Sequence, residues 1–316
     1  MAFAAININF DSLGEMFGFP EGFRDPCFFQ VADRFFKIAD KYNFRYSIYV
    51  IGKDLENPIN QEAVRSWQAK GHEIGSHSFS HRNDLGALSP REIREEVSRA
   101  HEILTKTLGQ PVRGFIAPGW SASSELHSAL LELDYEYDTS SFPSWLMFPA
   151  LAKLSMNYRG DHRASRFWRR KDFHYHLAGS RKPYTSMGKL FGSLPTGKKE
   201  LLILPLPTNH FRFACWHTIG FMFGWKFHKK LLQQCLKQND LFYYLTHPAD
   251  LLDRADIPEG LGSRFERMEM PLEEKIQRFE DCIEQIIRSG KKIVTMGQLA
   301  DIARRRIYEN RKIHVG

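Results

Sequence analysis

Cysteine is scarce in this chain. Its four residues, Cys27, Cys215, Cys235 and Cys282, lie far apart and form no CxxC pair. Cys235 and Cys282 fall on the apolar faces of expected helices, so buried thiols in a reducing compartment are expected rather than disulfides. A run of about eighteen uncharged apolar residues is absent, which excludes a membrane-spanning helix. The start, MAFAAININF, has neither a basic region nor a long apolar one. It is therefore not read as a signal peptide, and a cytoplasmic location is expected. No GxGxxG follows the first strand, which removes support for a dinucleotide fold. Concentrated charge is missing as well: the net charge is +7, but the cations are spread along the chain. Such a balance suits phosphate, an anionic membrane surface or nucleic acid without selecting any of them; of the three, no nucleic-acid partner is expected.

With 316 residues, 42% of them apolar and 13% aromatic, the chain can bury one large core. One domain over residues 1–316 is expected, with an insertion at about 142–200. Ala5 to Phe10 is a strand candidate that delivers Asp11 at its end. Phe28, Val31, Phe35, Ile38 and Tyr42 follow at helical spacing, and Phe44 to Ile51 alternates like a strand. Asn60 to Lys70 is a helix stopped by Gly71, before a strand at His72 to Ser76. Ser89-Pro90-Arg91-Glu92 is a capping box with proline at the first helical position, and Ile93, Val97, Ala100, Leu104 and Leu108 form the stripe of the helix that it opens. Strands at Val112 to Ala117 and Tyr135 to Tyr137 flank a helix at Ser123 to Leu133. From Phe142 to about Glu200 the alternation fails, as in a long irregular insertion. It resumes with strands at Leu201 to Leu206, Leu241 to Thr246 and Lys292 to Thr295. The helices among them are Trp225 to Lys237, Pro271 to Ser289 and Met296 to Arg305.

Seven or eight strands alternating with helices predict a parallel α/β protein. Asp11, His77, His81, Trp120, Asp138 and His247 all fall just after strand ends. Catalytic residues gather at the C-terminal face of a barrel, so a distorted (β/α) barrel is expected. His77 and His81, four apart in GHEIGSHSFSH, can present two imidazoles to one transition-metal ion. His72, in the strand before them, reads as a packed or surface residue, and His101 and His127 carry no signal.

The runs HSFSH and LSPREI, with APGWS at Ala117 to Ser121, YDTSS at Tyr137 to Ser141 and THP at Thr246 to Pro248, resemble the polysaccharide deacetylase family, the NodB-homology domain of carbohydrate esterase family 4. The resemblance covers Ile6 to about Ala303. It implies a barrel of seven or so β/α units and removal of N- or O-acyl groups from sugars. It also implies a divalent metal, usually zinc, on two histidines and one aspartate, with a second aspartate as base and a late histidine as acid. His77 and His81 would then be ligands and His247 the acid. Pro118, Trp120 and Asp138 are candidate substrate contacts; Trp120 could as easily be a core aromatic, and Asp138 could instead orient His247 or simply form a turn.

Two positions depart from the family pattern. Phe10-Asp11-Ser12-Leu13 offers one carboxylate where the family usually has two, and Ile116 stands where an arginine usually precedes Ala-Pro. Asp11 is therefore either the third ligand, with Glu15 or a substrate group assisting deprotonation of water, or the base beside a two-histidine site. The chemistry favours the ligand role, because zinc needs three protein ligands and an open position. The resemblance thus implies a deacetylase or deformylase of an amino sugar. The same departures leave open a degenerate relative that binds a sugar or glycolipid without hydrolysis.

Arg159, Arg163, Arg166, Arg169, Arg170 and Lys171 crowd the insertion, and Phe211 to Phe227 mixes aromatics with cations. Both suggest a lipid-phosphate-linked substrate and peripheral contact with an anionic membrane, with Trp216 and Trp225 at the headgroup boundary. A solvated basic loop and core aromatics are the plain alternative.

Overall fold

In the computed structural model, residues 1–14, 24–157, 168–186, 199–257 and 266–315 are described. Their elements run β1 (Phe3–Phe10), α1 (Gln30–Lys41), β2 (Ser47–Val50), α2 (Pro58–Ala69), β3 (Glu73–Ser76), α3 (Pro90–Leu108), β4 (Gly114–Phe115), α4 (Ser124–Glu132) and β5 (Tyr137–Asp138). Next come α5 (Met147–Asn157), α6 (Phe173–Ala178), β6 (Tyr184–Ser186), β7 (Leu201–Ile203), α7 (Thr218–Phe223), α8 (Trp225–Gln238), β8 (Leu241–Thr246), α9 (Leu272–Arg288), β9 (Lys292–Val294) and α10 (Met296–Val315).

The strands form one sheet in the order β6-β7-β5-β4-β3-β2-β1-β8, with β9 beside the lower half of β1. Only the β6–β7 pair is antiparallel. Between β7 and β8 irregular chain completes the wall: the His217 amide donates to the Leu245 carbonyl at 2.9 Å, and the Tyr243 hydroxyl to that of Leu204 at 3.5 Å. The result is the expected distorted (β/α) barrel, and all eight strands read from the sequence are present.

β1 is the axis of the sheet. Helices cover one face and the barrel interior the other, so its side chains after Phe3 are all buried, as in parallel sheets generally. Two aromatics span the inner face between β2 and β5. Tyr49 lies over Gly75 of β3 and Tyr137 over Gly114 of β4, and their hydroxyls meet at 3.2 Å. A Cβ on either glycine would collide with the ring above it. Tyr137 then donates to Glu73 at 2.8 Å.

The α3 helix carries its capping box at Ser89 and Glu92 and ends on Gly109 at φ 71°, and Ile93, Val97, Ala100 and Leu104 are its buried stripe. All four cysteines are buried free thiols. The insertion is not irregular throughout, which corrects the sequence reading: it holds α5, α6 and the edge strand β6. Pro149, which reads as a breaker, lies in the first turn of α5, where a missing amide proton costs nothing, while α6 and β6 are too short to show a period. Arg159, Arg163, Arg166 and Glu15 lie outside the described residues.

Candidate metal and catalytic site

Asp11, His77, Trp120 and His247 follow the C-terminal ends of β1, β3, β4 and β8 and meet on one face of the barrel. At the end of β1 the Asp11 amide turns back to the Asn9 carbonyl at 2.9 Å. At the end of β3 the chain enters a tight turn in which Ser78 (φ 62°) and His81 (φ 52°) take the left-handed conformation. Non-glycine residues adopt it only where the surroundings over-determine it. Here they do so: the amides of Gly52 and Lys53 donate to the carbonyls of Ser78 and Phe79 at 2.9 Å each, and Glu96 of α3 accepts from the Ser80 amide and hydroxyl.

The turn places both imidazoles on one oxygen. His77 Nε2 and His81 Nε2 each lie 3.2 Å from Asp11 Oδ1. That oxygen is buried and lacks a well-formed hydrogen bond. His77 Nδ1 lies 2.7 Å from the Ile116 carbonyl. Donating its proton there leaves the lone pair on Nε2, the arrangement that second partners impose on ligating histidines. Burial holds His77 below the usual imidazole range. Burial pushes the Asp11 carboxyl up, but His81 first, then His77 and His247, outweigh it and keep the group well below the usual carboxylate range. Two imidazole nitrogens and a carboxylate oxygen within 4.8 Å of one another, the oxygen buried and without a well-formed hydrogen bond, fit a divalent transition-metal ion. Among the described residues this is the one such grouping.

His247 stands on the other side of the carboxylate, with Nε2 4.0 Å from Asp11 Oδ2 and Nδ1 3.8 Å from Asp250 Oδ2. Asp250 is fully buried and accepts from the Thr246 hydroxyl (2.8 Å), the His247 amide (2.9 Å) and Arg267 (2.5 Å). Burial favours its neutral form, but Arg267 and His247 outweigh that and hold it ionised. Arg267 reaches on to the Thr218 hydroxyl at 3.0 Å.

Trp120, at φ 51°, forms a wall with Phe142 and Trp216, its ring centroid 4.8 Å and 5.7 Å from theirs. Pro118 is buried at the start of the same turn. Arg170 closes that turn from behind, donating to the carbonyls of Gly119 (2.8 Å) and Trp120 (2.5 Å) and pairing through two nitrogens with Asp172.

The structure corrects the readings of Asp138, Arg170 and Trp216. Asp138 does not face His247. It is fully buried, bonds the Ser140 hydroxyl and lies 3.5 Å from His127 Nε2, while Ser140 accepts from the Ala117 amide. Asp138 thus supports the Ala117–Trp120 turn from inside and offers a sugar no exposed surface; the carboxylate beside His247 is Asp250. Arg170 is no surface cation, Lys171 pairs with Glu125 at 2.6 Å, and Trp216 is buried. Of the two positions that depart from the family pattern, Ser12 is buried and donates to Asp54 at 2.9 Å, and Ile116 serves through its carbonyl. As the sequence suggests, His72 is packed, stacked on Phe36 with Nδ1 accepting from the Tyr46 amide. Sequence reasoning missed Asp250, although the His247-x-x-Asp250 spacing is that of a capping box. It also missed Arg267, which carries no local signal.

A family model described as "Polysaccharide deacetylase" matches residues 20–137, which include the His77–His81 turn and Trp120 but neither Asp11 nor His247. A peptidoglycan deacetylase of Helicobacter pylori is 26% identical over 107 residues, 34% of this chain and 36% of that protein, so the likeness spans about a third of this relative. Among solved structures, a Mycobacterium smegmatis protein assigned as a polysaccharide deacetylase covers 96% of this chain and 91% of its own, with TM-score 0.57 and 17% identity. A Puue allantoinase covers 94% and 88%, with TM-score 0.53 and 15% identity. These two share the fold. Residues 20–137 are thus similar to the polysaccharide deacetylase family, and the chain shares its overall fold with the two solved structures.

Proposed function

We propose that the chain is a metal-dependent hydrolase that removes an acetyl or formyl group from the nitrogen of an amino sugar. The observation that carries this reading is the convergence of His77 Nε2 and His81 Nε2, each at 3.2 Å, on one buried oxygen of Asp11. Asp11, His77 and His81 would hold the ion, and zinc suits their donor set. A divalent ion there supplies Lewis acidity toward the acyl carbonyl and lowers the pKa of water. Because both imidazoles address Oδ1, the ligand role for Asp11 is the better supported one.

The remaining residues handle the proton and the sugar. As water adds to the carbonyl and the carbon–nitrogen bond breaks, the departing amine needs a proton, and His247 stands beside Asp11 to give it. Asp250, held ionised by Arg267, accepts from the His247 amide and so keeps its backbone in place, with a carboxylate oxygen 3.8 Å from the ring. Trp120 and Pro118 would line the sugar side. The proposed substrate is carried on a lipid phosphate and met at the cytoplasmic membrane face; the net charge of +7 suits such an anionic carrier.

Metal analysis of the purified protein, with acetate and formate release from a panel of N-acyl amino sugars, tests the reading. His77→Ala and His81→Ala should each lose most of the bound metal. His247→Ala and Asp250→Asn should keep it and lose about 100-fold or more in turnover. Metal retained in both histidine variants would remove the site assignment. A fully loaded protein that releases no acyl group from any sugar would instead be a non-hydrolysing sugar binder, the reading that the single carboxylate of the Asp11–Ser12 pair supports.

A further inference from the structure

Three segments next to the Trp120 wall build an exposed aromatic face. Phe211 is 81% exposed, Met222 54%, Phe223 47%, Trp145 41% and Phe227 40%. They form one surface around the half-buried Phe213, whose ring centroid lies 5.4 Å from that of Trp145, 5.6 Å from Phe223 and 5.1 Å from Phe227. Trp145 Nε1 donates to the Phe211 carbonyl, which ties the segments together. Core packing does not need these side chains. Monomeric proteins rarely leave so many large apolar residues side by side without a use.

The charge within the stretch that carries most of the face has one sign. From Leu201 to Gln238 the sequence holds no Asp or Glu, but it holds Arg212, Lys226, Lys229, Lys230 and Lys237. Arg212 turns inward to the Gly179 and Pro143 carbonyls, while Lys226, Lys229 and Lys230 on α8 are exposed beside Phe227. Aromatic rings rimmed by exposed lysines complement a surface that is apolar below and anionic at its edge. No described helix is long and apolar enough to cross a membrane, so such a contact would be peripheral.

We propose that this face seats on a bilayer bearing anionic headgroups. Phe211, Met222, Phe223 and Phe227 enter the headgroup–acyl boundary, and Lys226, Lys229 and Lys230 lie over the phosphates. The face adjoins the site through the chain itself, because Phe213 and Trp145 lie only three residues from Trp216 and Phe142 of the wall. Docking there would bring the Trp120 wall to a sugar whose carrier stays in the membrane, and to that extent the inference rests on the function proposed above.

Co-sedimentation with vesicles of phosphatidylcholine alone, and of phosphatidylcholine with about one third phosphatidylglycerol, is the test. Wild type should bind the anionic vesicles about tenfold or more tightly than the neutral ones, and less well as salt rises. The Phe211→Ser/Phe223→Ser/Phe227→Ser variant should lose binding to both. The Lys226→Gln/Lys229→Gln/Lys230→Gln variant should lose the preference for anionic lipid and its salt dependence. Both variants should keep wild-type metal content and acyl release from a soluble amino sugar. Vesicle binding without acyl release in wild type would uphold this inference while the catalytic reading fails. Indifference of wild type to vesicles at low salt, unchanged binding in both variants, or a wild-type dimer in sedimentation equilibrium that the Phe variant dissolves would overturn it.

Discussion

Removing the Arg170 guanidinium would leave Asp172, 1% exposed, with His176 at 3.6 Å as its remaining ion-pair partner among the described residues. It would also strip a donor from the carbonyls of both Gly119 and Trp120. Burial favours a neutral Asp172, and Arg170 is the foremost reason that the carboxyl is held well below its usual range. Arg170→Gln should therefore destabilise the protein by about 3–5 kcal/mol in urea unfolding, the cost of breaking a buried pair. Adding Asp172→Asn should return part of that loss, because the stranded charge is gone. If enough protein folds for kinetics, KM should rise more than kcat falls while metal content holds, since the turn carries Trp120 and no ligand. Wild-type stability in Arg170→Gln would show that the pair does not support the turn.

Glycines in β3 and at the end of α3 make opposite demands on a single methyl group. At Gly75 a Cβ would meet the Tyr49 ring at 2.5 Å, and Gly75 lies two residues before His77 in a strand with no freedom to shift. Gly75→Ala should cost about 1–3 kcal/mol by overpacking and should weaken metal binding, because the displaced strand end carries the ligand turn. At Gly109 there is open space around a Cβ, but φ is +71°. Gly109→Ala should cost about 1 kcal/mol for the left-handed backbone and leave metal binding unchanged. Thermal unfolding and metal titration of the two variants separate the effects; equal metal affinity in both would detach the β3 register from the site.

Across the whole molecule, three buried histidines are kept neutral by packing and link its stability to acid. Burial first, and the Arg45 charge second, push His72 down to about 4. Burial, opposed by Asp250, leaves His217 at about 4, and burial with His217 nearby takes His228 to about 3. The hydroxyl of Tyr244 lies 2.8 Å from His217 Nδ1 and 3.1 Å from His228 Nε2 and links the two rings. In the unfolded chain each titrates near 6.5, so below that pH the unfolded state binds more protons than the native one. Their contribution is present in full above pH 6.5 and is lost as the pH falls toward 4. The limiting slope is about 1.4 kcal/mol per pH unit for each, roughly 4 for all three. Urea midpoints between pH 7.5 and 4.5 should follow that course, with His72→Gln flattening the slope by about a third. A flat profile over that range would mean that the three rings are not held neutral.

Sequence alone determined the features that are local. Period-two and period-3.6 patterns marked eight strands and their helices, because the spacing of apolar side chains depends only on backbone geometry. Strand ends then placed Asp11, His77, His81, Trp120 and His247 on one edge, because parallel strands share a direction. Tertiary structure decided what each side chain meets. Asp138 ends β5 and Asp250 follows β8, yet Asp138 is sealed behind Ser140 and His127 while Asp250 stands beside His247. In the charged run Arg169-Arg170-Lys171, Arg170 is buried and the other two are exposed. Among the aromatics, Trp216 joins the wall while Phe211 and Phe223 face solvent. Composition is the same on both sides of each of these divisions. The difference lies in which distant segment packs against the residue, and only the tertiary fold of the barrel determines that.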